Sequence, residues 1–165
     1  MKMYLLQYQG IGPLSKIIRK FTRSKWSHSA VAYENTDGTI TFIEAWGFKG
    51  VVVYNTLALR RAISINHRPG TPVDVSEFDV PEELFFKSLS YAMQQEGKKY
   101  DWSLIWKFVT RKLARVRGKW ICSALSHTLF KIAGVLLQNA PSAEMAPLHL
   151  GISPLNKKWS RMVTT

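Results

Sequence analysis

The 165-residue sequence contains one cysteine, Cys122, in the stretch "KWICSALSHTLF" at residues 119–130. A single cysteine excludes an intramolecular disulfide framework, so cysteine usage does not reveal the redox compartment. Acidic residues are scarce. There are 11 Asp plus Glu against 23 Lys plus Arg, and none occurs before Glu34 or from Trp102 to Ala143. No apolar run approaches the roughly 18 residues that a membrane span needs. The opening "MKMYLLQYQGIGPLSK" lacks an apolar core segment and a cleavage site, so no signal peptide is expected. The expectation is a protein cytoplasmic as synthesised, or delivered by a phage particle, a holin or a dedicated secretion system. No internal repeat and no low-complexity tract is visible. "GFKGVV" has two glycines but not the pattern of a phosphate loop. One Cys and scattered His lack paired-ligand spacing for zinc, so no metal or other cofactor is expected.

What is present is ordinary globular composition with a strong basic bias. Hydrophobic residues make up 46%, enough for one domain over residues 1–165 with a single core. The net charge of +12 is concentrated. Lys2, Lys16, Arg19, Lys20, Arg23 and Lys25 precede the first acidic residue, and Lys107, Arg111, Lys112, Arg115, Arg117 and Lys119 crowd a later segment. Such a surface attracts anionic wall polymers, anionic lipid headgroups or nucleic acid, although no recognised nucleic-acid motif is present. A solvated basic face explains the same charges without any partner.

The local patterns predict strands and helices in a definite order. "MYLLQYQG" reads as a strand ended by Gly10. "GPLSKIIRKFTRS" reads as a short helix, with Leu14, Ile17, Ile18 and Phe21 at helical spacing. "WSHSAVAYE" and "TITFIEAW" flank the hairpin signal "NTDG". "GVVVYNTLAL" continues as strand, and "AISINHRP" suggests another. A helix opens at "DVPEELFFKSLSYAMQQEG", with Asp79 as N-cap, Pro81 and two Glu in the first turn and Gly97 as the stop. "DWSLIWKFVTRKLARVR" suits a basic amphipathic helix, and a third helix starts near Cys122, with Leu125, Leu129, Ile132 and Leu136 on one stripe. The tail from about 140 to 165 is Pro-punctuated and irregular, ending in a strand or draped over the domain. The order implies an α+β fold with helices packed on an antiparallel sheet.

A thiol nucleophile needs a lowered pKa, a nearby base and something to orient that base. Cys122 starts a predicted helix, where unpaired N–H groups favour a thiolate, and Arg117 and Lys119 add positive potential. The competing reading is a buried core cysteine on the Leu125 stripe. Of the four histidines, His127 is five positions on, about 140° around the helix, and points away. His67 and His149 fall near prolines with no evident orienting partner. His28 starts a strand, with Ala30 and Ala32 on its own face leaving room for a helix end. Glu44 lies in "TFIEAW", sharing a strand face with Ile40, Phe42 and Trp46. A carboxylate among such neighbours is costly unless paired. The "NTDG" hairpin brings its strand beside that of His28. A strand-end Glu reaching water is the simpler alternative.

The order His28, Glu44, then Cys122 on a helix start resembles a known family. "SKWSHSAVAYE", "FIEAW", "GKKYDWSLIW" and "WICSALSHTLF" are similar to the circularly permuted branch of NlpC-like papain-fold amidases, the YiiX-like group, which is related to the lecithin:retinol acyltransferase-like enzymes. "GPLSKIIRKFTRSKWSH" and "APLHLGISPLNK" resemble its lead-in and closing segments. The resemblance implies a papain-like antiparallel sheet or small barrel with helices on it and the nucleophile at a helix N-terminus. It implies Cys122 as nucleophile, His28 as base and Glu44 as orienter. Tyr100 in "GKKYDW" becomes a substrate or oxyanion donor, although a helix-end aromatic covering the core reads equally well. Two departures stand out. "CSAL" has Ala124 where the family often has an acidic residue, and residues 102–117 are unusually basic.

The function implied is a cysteine hydrolase that cleaves an amide bond in bacterial cell-wall peptides through an acyl-enzyme. Two other readings stay open. One is a lipid acyl hydrolase or acyltransferase at anionic membranes, supported by the basic "LIWKFVTRKLARVRGKW". The other is an inactive basic binding module or virion structural module.

Overall fold

The computed structural model describes residues 1–103, 119–153 and 157–163. Its frame is a mixed α/β arrangement built on one six-stranded sheet. Strand β1 (Lys2–Tyr8) lies near the middle, with β2 (His28–Glu34) on one side and β5 (Pro72–Asp79) on the other. Strands β3 (Ile40–Trp46) and β4 (Gly50–Thr56) extend the first side, and β6 (Lys157–Met162) extends the second. The order is β4-β3-β2-β1-β5-β6, and every neighbouring pair is antiparallel. The sheet is open, because its end strands β4 and β6 are not paired with each other. The barrel alternative is thereby corrected.

Strand alternation sends successive side chains to opposite faces, and here both faces are covered. Met3, Leu5, Val31, Tyr33 and Ile43 pack with helices α3 (Glu82–Met93) and α4 (Cys122–Ile132). Leu6, Tyr8, Ala30, Ala32 and Phe42 form a second core with Ala62 and Ile63 of helix α2 (Leu59–Ser64). This double burial explains why β1 is so apolar, with six of its seven residues buried.

Several local expectations change. "AISINHRP" contributes to a helix rather than a strand. The apparent Ile63/Ile65 alternation is the buried side of the short α2, and Ile65 is its C-cap. Asp79 is the last residue of β5, not an N-cap. Pro81 takes that position without a side-chain cap, and Glu82 and Glu83 do fall in the first turn. Strand β5 is absent from the sequence reading because its polar residues are buried. Asp74 accepts from the Trp26 indole at 2.9 Å and from Ser160 at 2.6 Å, and pairs with Lys25 at 2.8 Å. The tail, read as irregular, carries a 3-10 turn at Ser142–Glu144 and helix α5 (Pro147–Gly151), and it includes a late strand, β6, the first of the two alternatives given for its end. The basic helix expected over 101–117 falls almost wholly outside the described residues. Helix α1 (Pro13–Thr22) forms where its periodicity placed it, but none of its residues is buried.

Gly151 sits against the buried indole of Trp26. A Cβ there would lie 2.0 Å from the ring. The indole cannot swing aside without breaking its bond to Asp74. Gly151→Ala is therefore expected to lower stability by about 1–3 kcal/mol, read as a lower denaturant midpoint at unchanged slope.

Candidate active site

Cys122 is the first residue of α4, so its backbone N–H belongs to the unpaired first turn. Ile121 precedes it in extended conformation and offers no side-chain cap. The sulfur is buried, yet it lines an apolar depression with Ile17, Phe21, Tyr100 and Ile121. Helix α4 lies on the sheet face that carries Val31 and Tyr33. Its Ser126 hydroxyl points at Ser29 from 3.4 Å. The helix end thus reaches the start of β2 by the Ser29 face. The room attributed to Ala30 and Ala32 is on the opposite face, in the α2 core.

His28, at the start of β2, joins the two layers. Its Nε2 is 2.7 Å from Glu44 Oε2, so with the carboxylate ionised the N–H donates to it. Nδ1 is the ring nitrogen not engaged by Glu44, and the imidazole and the Cys122 thiol are close enough to shift each other's pKa. The register pairs Ala30 with Glu44, which makes His28 and Glu44 diagonal neighbours on one face. Glu44 is fully covered and its other oxygen accepts from Asn66 Nδ2 at 2.6 Å. Asn66 has a positive φ of 59° and also receives a hydrogen bond from Lys49. A buried carboxylate with these donors satisfies the requirement that its sequence position raised.

The electrostatics follow from these contacts. Burial pushes the Cys122 thiol up, but the His28 charge, its hydrogen bond and the Ser29 backbone and hydroxyl outweigh burial and hold it below its ordinary value. For His28, burial acts downward, while the Cys122 and Glu44 charges and hydrogen bonds raise it well above the usual imidazole range. Burial would raise Glu44, yet the hydrogen bond from His28 and the proximity of the His28 and His67 imidazoles bring it down to about 2. The arrangement favours a thiolate–imidazolium pair with an ionised carboxylate behind it. Burial pushes the Tyr100 hydroxyl well above its ordinary value, with the neighbouring Cys122 adding to it. Tyr100 therefore stays protonated, as a donor must.

The structure brings Cys122, His28, Glu44 and Tyr100 into one place. It also adds residues that the sequence reading set aside. His67 stacks on Tyr8 with ring centroids 3.5 Å apart, and its Nε2 is 3.4 Å from Glu44 Oε2. That nitrogen is buried and off hydrogen-bond geometry. Burial lowers the pKa of His67, so it is neutral. The donor atoms of His28, Glu44 and His67 all lie within 4.8 Å of one another. The only sequence signal was a His directly after an Asn able to adopt positive φ. His127, by contrast, is buried between Ser142 and the Gln138 carbonyl, at 2.8 and 3.0 Å. It is a satisfied core residue, as its helical phase implied.

The fold is YiiX-like. A solved structure of YiiX from Escherichia coli O157:H7, described there as a metalloprotein, is similar at TM-score 0.60 and 18% identity, covering 96% of each chain. No protein-family model matches the sequence, and no curated protein matches it.

Proposed function

We propose that the protein is a cysteine-dependent acyl hydrolase or acyltransferase with a permuted papain-like catalytic arrangement. The observation that carries this reading is the arrangement at the start of α4: a thiol on the first residue of a helix, beside an imidazole pinned at 2.7 Å by a buried carboxylate. The Cys122 thiolate attacks an amide or ester carbonyl carbon, and the carbonyl electron pair moves to oxygen. The Cys122 backbone N–H and the Tyr100 hydroxyl stabilise that oxyanion. The C–N or C–O bond then breaks, and the leaving group takes the proton from His28. Water attacks the thioester, His28 accepts its proton, and the acid is released with the thiolate restored. The support for the named roles is the geometry of the site.

The direct test is labelling by a small thiol-reactive acyl probe, followed by release of the acyl group, compared between wild type and Cys122→Ala. Wild-type labelling and turnover with no signal from the variant supports the reading. Equal inertness of both at pH 7 overturns it. Tyr100→Phe is expected to lower kcat by about 10²-fold or more with little change in KM, because the hydroxyl is needed most when charge develops on oxygen.

A second reading has its own observation. His28, Glu44 and the orphaned Nε2 of His67 form a two-imidazole, one-carboxylate set of the kind that holds a divalent transition metal. It competes with the first reading, because a metal on His28 Nε2 must displace the 2.7 Å bond to Glu44. Metal content after incubation with zinc, with His67→Ala as control, distinguishes the two. Stoichiometric metal that depends on His67 and blocks alkylation of Cys122 favours the metal centre. Metal-independent alkylation favours the thiol chemistry.

A further inference from the structure

Helix α1 is amphipathic, yet it gathers several exposed large hydrophobic side chains on one stripe. Steps of 100° per residue place Leu14, Ile17, Ile18 and Phe21 within an arc of about 100°, with Lys16, Arg19 and Lys20 on the other side. An apolar stripe of that kind normally faces a core. Here it does not: Leu14 is 40% exposed, and Ile17 and Phe21 are each 49% exposed. Preceding it, Ile11 is 44% exposed. The inner edge of the stripe, through Ile17, Ile18 and Phe21, walls the depression that contains Cys122. Across a neighbouring depression stands Phe48, 89% exposed on the turn between β3 and β4 and in ring contact with Trp102.

The charges beside the stripe are of one sign. Lys16, Lys20, Arg23 and Lys25 are all exposed, and no acidic residue precedes Glu34. An exposed apolar flank next to an exposed cationic flank on one short helix matches an anionic bilayer surface. The apolar side chains enter the acyl boundary, and the ammonium and guanidinium groups meet lipid phosphates and carboxylates. A protein groove would need a cluster of acidic side chains on the partner to meet the basic flank, whereas an anionic bilayer meets both flanks at once.

We propose that α1, with Ile11 and the Phe48 turn, is a docking surface for anionic lipid bilayers, seated so that the mouth of the Cys122 depression faces the membrane. The docking stands independently of the thiol chemistry. The substrate class that follows from it, an acyl lipid with its chain against Ile17, Ile18 and Phe21, rests on that chemistry.

Sedimentation with vesicles of phosphatidylcholine alone and of phosphatidylcholine with phosphatidylserine tests this on the full chain. Wild type is expected to bind the mixed vesicles and not the neutral ones, with binding weakened by added salt. Ile17→Asp/Phe21→Asp should lose at least tenfold in partitioning, and Lys16→Gln/Lys20→Gln about tenfold or more. Both variants should stay folded, read as an unchanged circular dichroism spectrum, because no residue of α1 is buried. Equal binding to both vesicle types, or unchanged binding by the variants, overturns the proposal. So does a wild-type dimer that Ile17→Asp/Phe21→Asp converts to monomer without any vesicle binding, which would give the face to a second copy. Cys122→Ala should bind vesicles like wild type. Vesicle binding without thiol acylation would sink the hydrolase reading and leave docking intact; acylation without vesicle binding would do the reverse.

Discussion

Cys122→Ala is expected to reduce acyl transfer at least about 10⁴-fold while leaving the protein folded. The neighbouring hydroxyls are otherwise engaged: Tyr100 is held protonated, Ser123 donates to the Met145 carbonyl, and Ser27 lies between the Gly10 N–H and the Tyr8 carbonyl. Loss of a nucleophile that acts together with its base has effects of this order or larger. Structural cost should be small, because the sulfur borders a depression rather than filling the centre of the core. A second signature accompanies it. Thiolate absorbance near neutral pH, present in wild type, should vanish in the variant. In wild type that absorbance falls as pH drops below the lowered pKa of Cys122. The imidazolium is lost as pH rises through the raised pKa of His28. Turnover should therefore form a plateau between these limits. Thiolate signal appearing only in the ordinary thiol range would contradict the ion pair.

Glu44→Gln should produce the second large effect, a drop of about 10³-fold in kcat/KM with a narrowed pH plateau. The amide is nearly the same size, but it offers no charge to the His28 N–H and must present its own NH₂ to one of the two donors, His28 or Asn66. The related loss of an orienting carboxylate in serine proteases costs about 10⁴. Without the carboxylate the His28 pKa falls, so the alkaline limit moves down, and the weakened imidazolium lets the acid limit move up. Stability should change in a pH-dependent way. Glu44 is depressed from 4.5 to about 2, so its stabilisation is fully present above 4.5 and is lost as pH falls toward 2. Wild type should lose stability across that window, and the variant should lack this slope while being less stable throughout. Urea midpoints measured from pH 2 to pH 7 check both statements.

Much of the site was legible because its members each break a local rule. Glu44 interrupts an apolar strand, Cys122 stands at a helix start, and His28 opens a strand beside a hairpin turn. Those irregularities require partners, and few partners were available in a chain with so few carboxylates. His67 and Asn66 were not legible, since their segment alternates like a strand while folding as α2 and a positive-φ turn. Nothing local announces that such a turn lies under Glu44. Strand β5 was hidden for a related reason. Its Asp74 and Ser76 look solvent-facing in sequence, and only Trp26, Lys25 and Ser160, all remote along the chain, make burial of Asp74 affordable. Helix α1 had the reverse problem. Its periodicity was plain, but periodicity alone does not say whether an apolar stripe meets a core or a membrane.

The candidate site also ties chemistry to the pairing of β2 with β3. Sulfur approaches from the α4 layer, whereas the imidazole's support comes from the α2 layer, and the two meet only over the end of the sheet. Shifting β3 by a single position would turn Glu44 into the wrong layer while preserving every strand. Such a protein would look native by overall shape and secondary-structure content yet carry an unassisted thiol. Changes in the five-residue loop 35–39 that sets this alignment can therefore silence the molecule from a distance, without touching any group that performs a reaction.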